Sequence, residues 1–393
     1  CFCIWPGAKD KVLRNTDILI QDNLIHSIGQ NLDAVDTNQK SKIKNQKSAK
    51  PLIIPVFIPS IGCPHQCVFC NQPLITEKKA VIPDSSEIDS IISHYLQFKG
   101  QRKRVELAFF GGNFLGLPAD TVLSLLDIIN PYVQQNIIHG IRFSTRPDTI
   151  TQQSLSLLKP YPVSVVEIGV QSMNDAVLRT VKRGHTAKDT FDAIKLLKKT
   201  SMKIGVQLMV GLPGDNENSL MATTKELTAL SPDFVRIYPL LVFKGTPLAQ
   251  WYKAGRYSPL DLPEAVRLVK EMVKIFHPTD IEVIRMGLQA SDTMEDPSMN
   301  MAGPWHPAFG HLVRSEIFYD MLCAKLDQYP DQHPDQHSDS GALLKLRVNP
   351  RSISVLMGDR KSNMKKLRIR YPDYHFQINT DETVPVQDIK IEL

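Results

Sequence analysis

The sequence is poor in cysteine, with six in 393 residues. That is too few for a disulfide framework, and in a reducing compartment thiols grouped closely serve metal binding or redox chemistry instead. No apolar run approaches the ~18 residues that a bilayer-spanning helix requires. No charged-then-apolar leader precedes a small-residue cleavage site, so the expected location is cytoplasmic, with no membrane partner. Net charge is also small, +5, so only its distribution along the chain bears on partners. Methionine is absent from position 1, where Cys1 stands, and residues 1–50 are expected to be an N-terminal segment and basic linker outside the main fold.

What is present reads as an ordinary globular composition, 42% hydrophobic and 22% charged, on a chain long enough for one large domain and one smaller one. Within the first fifty residues, "DILIQDNLIHSIGQNL" (17–32) alternates like a hairpin. It is similar to the small β-segment that opens many amidohydrolases, but none of that family's metal-binding histidine motifs follows. Residues 37–50 carry five lysines and no acid, a solvated linker.

From residue 51 the pattern becomes regular. The apolar, β-branched runs are "LIIPVFIP" (52–59), "VELAFF" (105–110), "GIRFSTRP" (140–147), "VVEIGVQS" (165–172), "KIGVQLMV" (203–210) and "FVRIYPLLV" (234–242). Amphipathic helix candidates lie between and after them at 85–98, 119–129, 187–200 and 263–276. Continuous apolar strands alternating with helices imply parallel β/α units buried on both faces, hence an α/β partial (β/α)6 barrel over 51–325. The polar signatures "GGNF", "STRP", "GVQS" and "GLPG" fall where strands end, the rim at which such barrels bind ligands.

After about residue 325 the texture changes. Residues 326–340 are a polar Pro/His/Asp linker whose histidines read as exposed connector rather than metal ligands. Residues 341–393 read as a small basic α+β domain of strand, helix-turn-helix and strand, with nine Lys/Arg and one acid, Asp359, between 341 and 370.

The chemistry concentrates in "IGCPHQCVFCNQ" (61–72), which brings Cys63, Cys67 and Cys70 together just after the first strand of the barrel. A structural zinc requires four ligands, and only His65 nearby or the remote Cys323 offers a fourth. His65 sits awkwardly inside the loop, and Cys323 in "FYDMLCAKL" reads as a helix-core residue. Three thiolates suit a [4Fe–4S] cluster with one iron left open to a small molecule.

With Phe69 before the last cysteine and "GGNF" (111–114) following, this constellation resembles the radical S-adenosylmethionine superfamily. The resemblance implies that S-adenosylmethionine chelates the open iron, and that a reduced cluster releases from it a 5′-deoxyadenosyl radical that abstracts hydrogen from a substrate. A low-potential electron donor such as flavodoxin or ferredoxin is then expected.

The other rim residues are expected as cofactor contacts. Gly111 and Gly112 let backbone approach a ligand closely, in the loop that the superfamily uses for the methionine amino group. Asn113 stands where an acidic or hydroxyl residue is usual. Arg146, beside Ser144 and Thr145, offers a bidentate fork for a carboxylate. Glu167 and Gln171 alternate with Gly169 toward the barrel interior, where a buried carboxylate needs a partner such as ribose hydroxyls or Arg146. "GLPG" (211–214) is expected on the adenine or ribose side.

Residues 52 to about 318 further resemble the catalytic subunit of Elongator and its bacterial relatives. "CPHQCVFCNQ", "FFGGNFLGLP", "STRPD", "EIGVQSMNDAVLRTVKRGHT", "QLMVGLPGD" and "AGPWHPAFGHLVRS" carry that likeness. It implies radical modification of C5 of the wobble uridine in tRNA with an acetyl group from acetyl-coenzyme A. No acetyltransferase domain follows within these residues, so only the radical half is supported.

RNA contacts are expected from Lys182, Arg183 and His185 in "VKRGHT", from Trp305, His306 and His311, and from the basic C-terminal domain, where "LMGDRKSNMKKL" resembles the loop of a KH module with Lys361 in place of its second glycine. Two other classes fit the cysteines: an oxygen-independent coproporphyrinogen oxidase or other small-molecule radical oxidoreductase, and a non-catalytic iron–sulfur or RNA-binding protein. No second methionine-cofactor motif favours the first, and the retained rim motifs argue against the second.

Overall fold

The computed structural model describes residues 17–21, 24–29, 50–58, 62–70, 81–289, 292–332 and 342–392. Most of the expected N-terminal segment, its lysine-rich linker, and the connector beyond Gln332 lie outside the described residues. The chain divides into two compact units, one ending at Pro307 and the other running from Ala308 onward together with the N-terminal hairpin. That hairpin is β1 (Asp17–Gln21) paired antiparallel with β2 (Leu24–Gly29), as the alternation predicted.

The first unit is built on one seven-stranded sheet. Its strands are β3 (Leu52–Ile58), β4 (Val105–Gly111), β5 (Gly140–Thr145), β6 (Val163–Gln171), β7 (Lys203–Val210), β8 (Phe234–Pro239) and, after the short β9 (Val242–Phe243), β10 (Glu282–Met286). They lie in the order β10-β8-β7-β6-β5-β4-β3, and every neighbouring pair is parallel. The six expected strands are all there. The seventh, β10, escaped detection because "EVIRM" is short and only partly buried, so it lacks the continuous apolar run of its neighbours.

Helices fill the connections: α1 (Ser85–Leu96), α2 (Ala119–Gln134), α3 (Gln152–Leu158), α4 (Asp175–Thr180), α5 (Ala187–Leu197), α6 (Glu217–Leu230), α7 (Pro247–Lys253), α8 (Leu262–Phe276) and α9 (Asp292–Glu295). Their starts are chemically marked. Asp84, Thr151, Thr186 and Asn216 each cap a helix while the third residue of that helix bonds back, satisfying N–H groups that a helix leaves open. β11 (Asn300–Ala302) pairs antiparallel with β9 and closes this unit.

The second unit packs α10 (Phe309–Gln332) with a three-stranded sheet ordered β13-β12-β14, where β12 is Ala342–Val348, β13 Tyr374–Thr380 and β14 Ile389–Glu392. Between β12 and β13 run α11 (Ile353–Met357) and α12 (Ser362–Arg370), the expected helix-turn-helix. The expected boundary between 325 and 326 falls inside α10. Its Phe318, Leu322, Cys323 and Leu326 are buried with Leu344, Leu346 and Leu367, so this helix belongs to the C-terminal core. Cys323 is 5% exposed there, a core residue rather than a ligand. No helix among the described residues is long and apolar enough to cross a membrane.

Candidate active site

The site begins where β3 ends. Gly62 turns with φ +89°, and a side chain there would meet the Asn113 carbonyl at 2.7 Å, so the cysteine loop leaves the sheet pressed against the "GGNF" turn. Two backbone bonds then strap it down: Val68 N donates to Val181 O at 3.1 Å, and Leu248 N donates to Val68 O at 2.8 Å. Phe69 is buried in a cluster with Tyr238, Leu240, Leu241 and Phe243, against which Cys70 and Trp305 pack. Trp305 is therefore partly buried against this core. Cys67 is buried while Cys63 and Cys70 are partly exposed.

Arg183 seats this loop. It is 1% exposed, Nη1 donates to Cys67 Sγ at 3.5 Å, and Nη2 donates to Gly169 O on β6 at 2.6 Å. Burial, the largest influence, raises the Cys67 pKa, but the surrounding positive charges, Arg183 foremost, together with the Arg183 hydrogen bond outweigh it and leave the thiol below its ordinary value. Cys70 feels burial most strongly and is pushed up to about 11. Arg183 and His185 were expected at an RNA surface; the structure corrects this, because both are buried against the loop and β6. His185 is 4% exposed with Nε2 3.2 Å from Val170 O, and burial followed by the Arg183 and Arg146 charges pushes its pKa down to about 2, so the ring is neutral. Only Lys182 of that trio is exposed.

Arg146 is also corrected. Its fork does hold a carboxylate, that of Asp148, with Nε and Nη2 both at 2.9 Å, and Nη1 donates to Arg183 O at 2.6 Å. It is 0% exposed, so it holds the Arg183 turn in place and leaves no fork free for a ligand. Asn113 is likewise consumed: Nδ2 donates to Gly62 O at 2.8 Å, and Oδ1 accepts from Thr145 Oγ1, Arg146 N and Thr149 Oγ1 at 2.7, 3.0 and 3.0 Å. Gly111 has φ +108°, and any Cβ would strike Ile58 O and the Phe57 ring. Gly112 N donates to Ile58 O at 2.8 Å, so the glycine pair joins β4 to β3. Phe109, Phe114 and Phe143 stack beneath this turn at 4.8 and 4.7 Å between centroids.

Glu167 finds its partners elsewhere than expected. Oε1 accepts from Arg142 Nη2 at 2.7 Å, and Oε2 accepts from Arg236 Nε at 2.7 Å and from Gln207 Nε2 at 3.3 Å. Burial raises its pKa, yet Arg236 and then Arg142 bring it down to about 2. It is a buried ion-pair centre crossing β5 to β8. Arg142 and Arg236 escaped sequence reasoning although each stands on a strand beside or near that of Glu167.

Gln171 stands apart. It ends β6 with φ +69°, unusual for a residue with a side chain, and is 1% exposed. Neither Nε2 nor Oε1 has a hydrogen-bond partner among the described residues. An amide buried without partners costs roughly 1–3 kcal/mol. A buried amide left open in this way is one that a bound ligand or ordered water can satisfy.

Among the described residues no three His, Cys, Asp or Glu side chains are disposed to hold a single metal ion. The zinc alternative thus has no assembled ligand set: the His65 ring lies over Gly184, and Cys323 is core. The three thiols stand close enough that Cys67 and Cys63 both act on the charge of Cys70, and three thiolates from one strapped loop are a donor set that suits a [4Fe–4S] cluster. The unpartnered Gln171 amide fits a polar cofactor beside it.

In the second unit, Arg351, Arg360, Lys361, Lys365 and Arg368 are exposed without an acidic partner among the described residues, while Lys366 pairs with Glu316 and Arg370 with Asp327. Gly358, Arg360 and Lys361 have φ +72°, +48° and +62°, which forms the tight loop between α11 and α12.

Comparison with known proteins gives the same outline. Residues 57–227 match the Radical SAM superfamily and residues 232–318 its C-terminal domain. An uncharacterized protein of Methanocaldococcus jannaschii is 32% identical over 248 residues, 60% of this chain and 75% of the relative. A tRNA uridine(34) acetyltransferase of Dehalococcoides mccartyi is 26% identical over 267 residues, 59% of this chain and 58% of the relative, so the chain spans little more than half of that protein. In structure, the archaeal Methanocaldococcus infernus Elp3 aligns with a TM-score of 0.54 at 22% identity, over 72% of this chain and 64% of that one.

Proposed function

The chain belongs to the radical SAM superfamily, and from that premise we propose that it is a tRNA-modifying radical enzyme acting on a wobble-type uridine, with Cys63, Cys67 and Cys70 as cluster ligands. Its cofactors are those of the superfamily, a [4Fe–4S] cluster and S-adenosylmethionine. Together they supply a low-potential electron and a 5′-deoxyadenosyl radical that abstracts hydrogen from substrate.

The residues of the chain do the rest. The strapped loop holds three thiols, and Arg183 fixes Cys67 against β6. Gly111 lets β4 end tight against Ile58 and Phe57 of β3, beside the start of the cysteine loop. Gln171 offers one donor pair and one acceptor to that ligand with no competing protein partner among the described residues. Arg146 and Asn113 act as braces of the rim, and Glu167 keeps the interior polar row neutralised.

The observation that carries the reading is the unpartnered Gln171 amide, two residues beyond the carbonyl that Arg183 ties to Cys67. The tRNA substrate is supported by the relative named for tRNA uridine(34), and by the five exposed bases of the second unit, since phosphate contacts need Lys and Arg. The test is anaerobic incubation of the reconstituted, reduced chain with S-adenosylmethionine and unmodified tRNA. Release of 5′-deoxyadenosine that rises with tRNA, with loss of the uridine hydrogen, supports the reading. Release that ignores tRNA but rises with a small molecule overturns the substrate.

A further inference from the structure

The cysteine loop has an outward side that the proposed chemistry leaves unused. A cavity of about 440 Å³ opens there, lined by His65, Arg179, Lys182, Gly184, His185 and Thr186. His65 belongs to the loop itself, between Cys63 and Cys67, and its ring rests on Gly184. Arg179 and Lys182 are exposed, and neither has an acidic partner among the described residues. Lys182 has a left-handed backbone, φ +54°, an uncommon conformation for a residue with a side chain. Two acids of the adjoining helices are engaged in capping bonds: Asp175 accepts from Ala187 N at 2.7 Å, and Asp189 accepts from Thr186 N and Oγ1, both at 2.7 Å.

This cationic surface lies one residue from the cysteine contact. Arg183 follows Lys182 and precedes Gly184, and its Nη1 reaches Cys67 Sγ at 3.5 Å. A partner seated on Lys182 and His65 therefore touches the cysteine loop itself and the residue next to Arg183, whose guanidinium reaches Cys67. Resting on the cluster reading of the preceding subsection, we propose that His65, Arg179 and Lys182 form the docking surface for a small acidic electron-carrier protein. In this step one electron leaves the reduced carrier and enters the cluster, and no bond forms or breaks. Transient redox complexes bury little area and rely on charge complementarity for encounter, which suits a small cationic face of this kind. RNA is less suited to it, because the larger unpaired cationic surface lies in the second unit.

The test compares the holoenzyme with the Arg179→Ala, Lys182→Ala double variant. Both are reduced anaerobically either by dithionite or by a reduced bacterial flavodoxin, and carrier affinity is measured alongside. The proposal predicts equal reduction by dithionite, flavodoxin-driven reduction slower by about tenfold in the variant at low salt, and a weaker salt dependence, because steering raises on-rates by about 10-fold or more. Equal flavodoxin rates and affinities in the two proteins overturn it. So does a variant that keeps flavodoxin reduction but loses tRNA affinity, which assigns the face to RNA. If dithionite fails to reduce the wild-type cluster, the cluster reading itself has failed, and that result is distinct from either.

Discussion

Arg183 donates to Cys67 Sγ at 3.5 Å, and with the other end of the same guanidinium it donates to Gly169 O at 2.6 Å. A planar fork spans these two acceptors in a way that an ammonium does not. The buried cation also lies beside a sulfur destined to carry negative charge. Arg183→Met is expected to lower iron and sulfide content after anaerobic reconstitution, and to move the retained cluster to a more negative potential, because hydrogen bonds to cluster sulfurs raise it. Metal analysis and potentiometric titration check this, with circular dichroism to confirm folding.

Gln171 makes an opposite kind of prediction. Its backbone sits at φ +69° and its amide has no protein partner among the described residues, so neither is explained by stability. Gln171→Gly is expected to raise stability by about 1 kcal/mol by relieving the left-handed backbone, while S-adenosylmethionine affinity falls about tenfold because the ligand's hydrogen bonds to the amide are removed. Denaturant melts and equilibrium binding measure the two effects separately.

Much of this was legible in the sequence, and the reasons differ by element. The six apolar runs declared their strands because parallel strands covered on both faces are built largely of apolar, β-branched residues, whereas β10 is too short and only partly buried to stand out. The cysteine loop was legible because thiolate spacing is local chemistry. Arg146, Arg183 and Glu167 were misjudged because a charged residue at a strand end or turn looks the same in sequence whether it faces a ligand or a partner many residues away. Glu167 meets Arg236 across 69 positions, a pairing that only the register of β6, β7 and β8 creates.

Glu167 also sets a pH dependence. Its carboxyl is held at about 2 in the folded protein, below the ordinary carboxylate range. A depressed pKa contributes stability above the unfolded value, and that stability is lost as pH falls from about 4.5 toward 2. The contribution is roughly 3 kcal/mol. Glu167→Gln leaves Arg142 and Arg236 without their shared carboxylate and is expected to cost about 3–5 kcal/mol near neutral pH. The acid limb of the variant's stability curve should be flatter than that of the wild type, measured by denaturant unfolding from strongly acidic to neutral pH.

The basic loop of the second unit is separable from the barrel chemistry. Arg360, Lys361 and Lys365 are exposed, so replacing all three by Glu is expected to leave the thermal midpoint nearly unchanged. Affinity for tRNA should fall, and the slope of log K against log salt should shrink by about 0.7–0.9 for each phosphate no longer neutralised. Filter binding over a salt series reads both quantities.

Everything proposed for this chain rests on Cys63, Cys67 and Cys70 holding a cluster with one iron open to S-adenosylmethionine. The decisive experiment is electron paramagnetic resonance of the anaerobically reconstituted, dithionite-reduced full chain, with and without S-adenosylmethionine, beside Cys70→Ala. The expected result is a [4Fe–4S]⁺ signal that shifts when S-adenosylmethionine is added and disappears in the variant. A signal unmoved by S-adenosylmethionine, or stoichiometric zinc in place of iron, would contradict it.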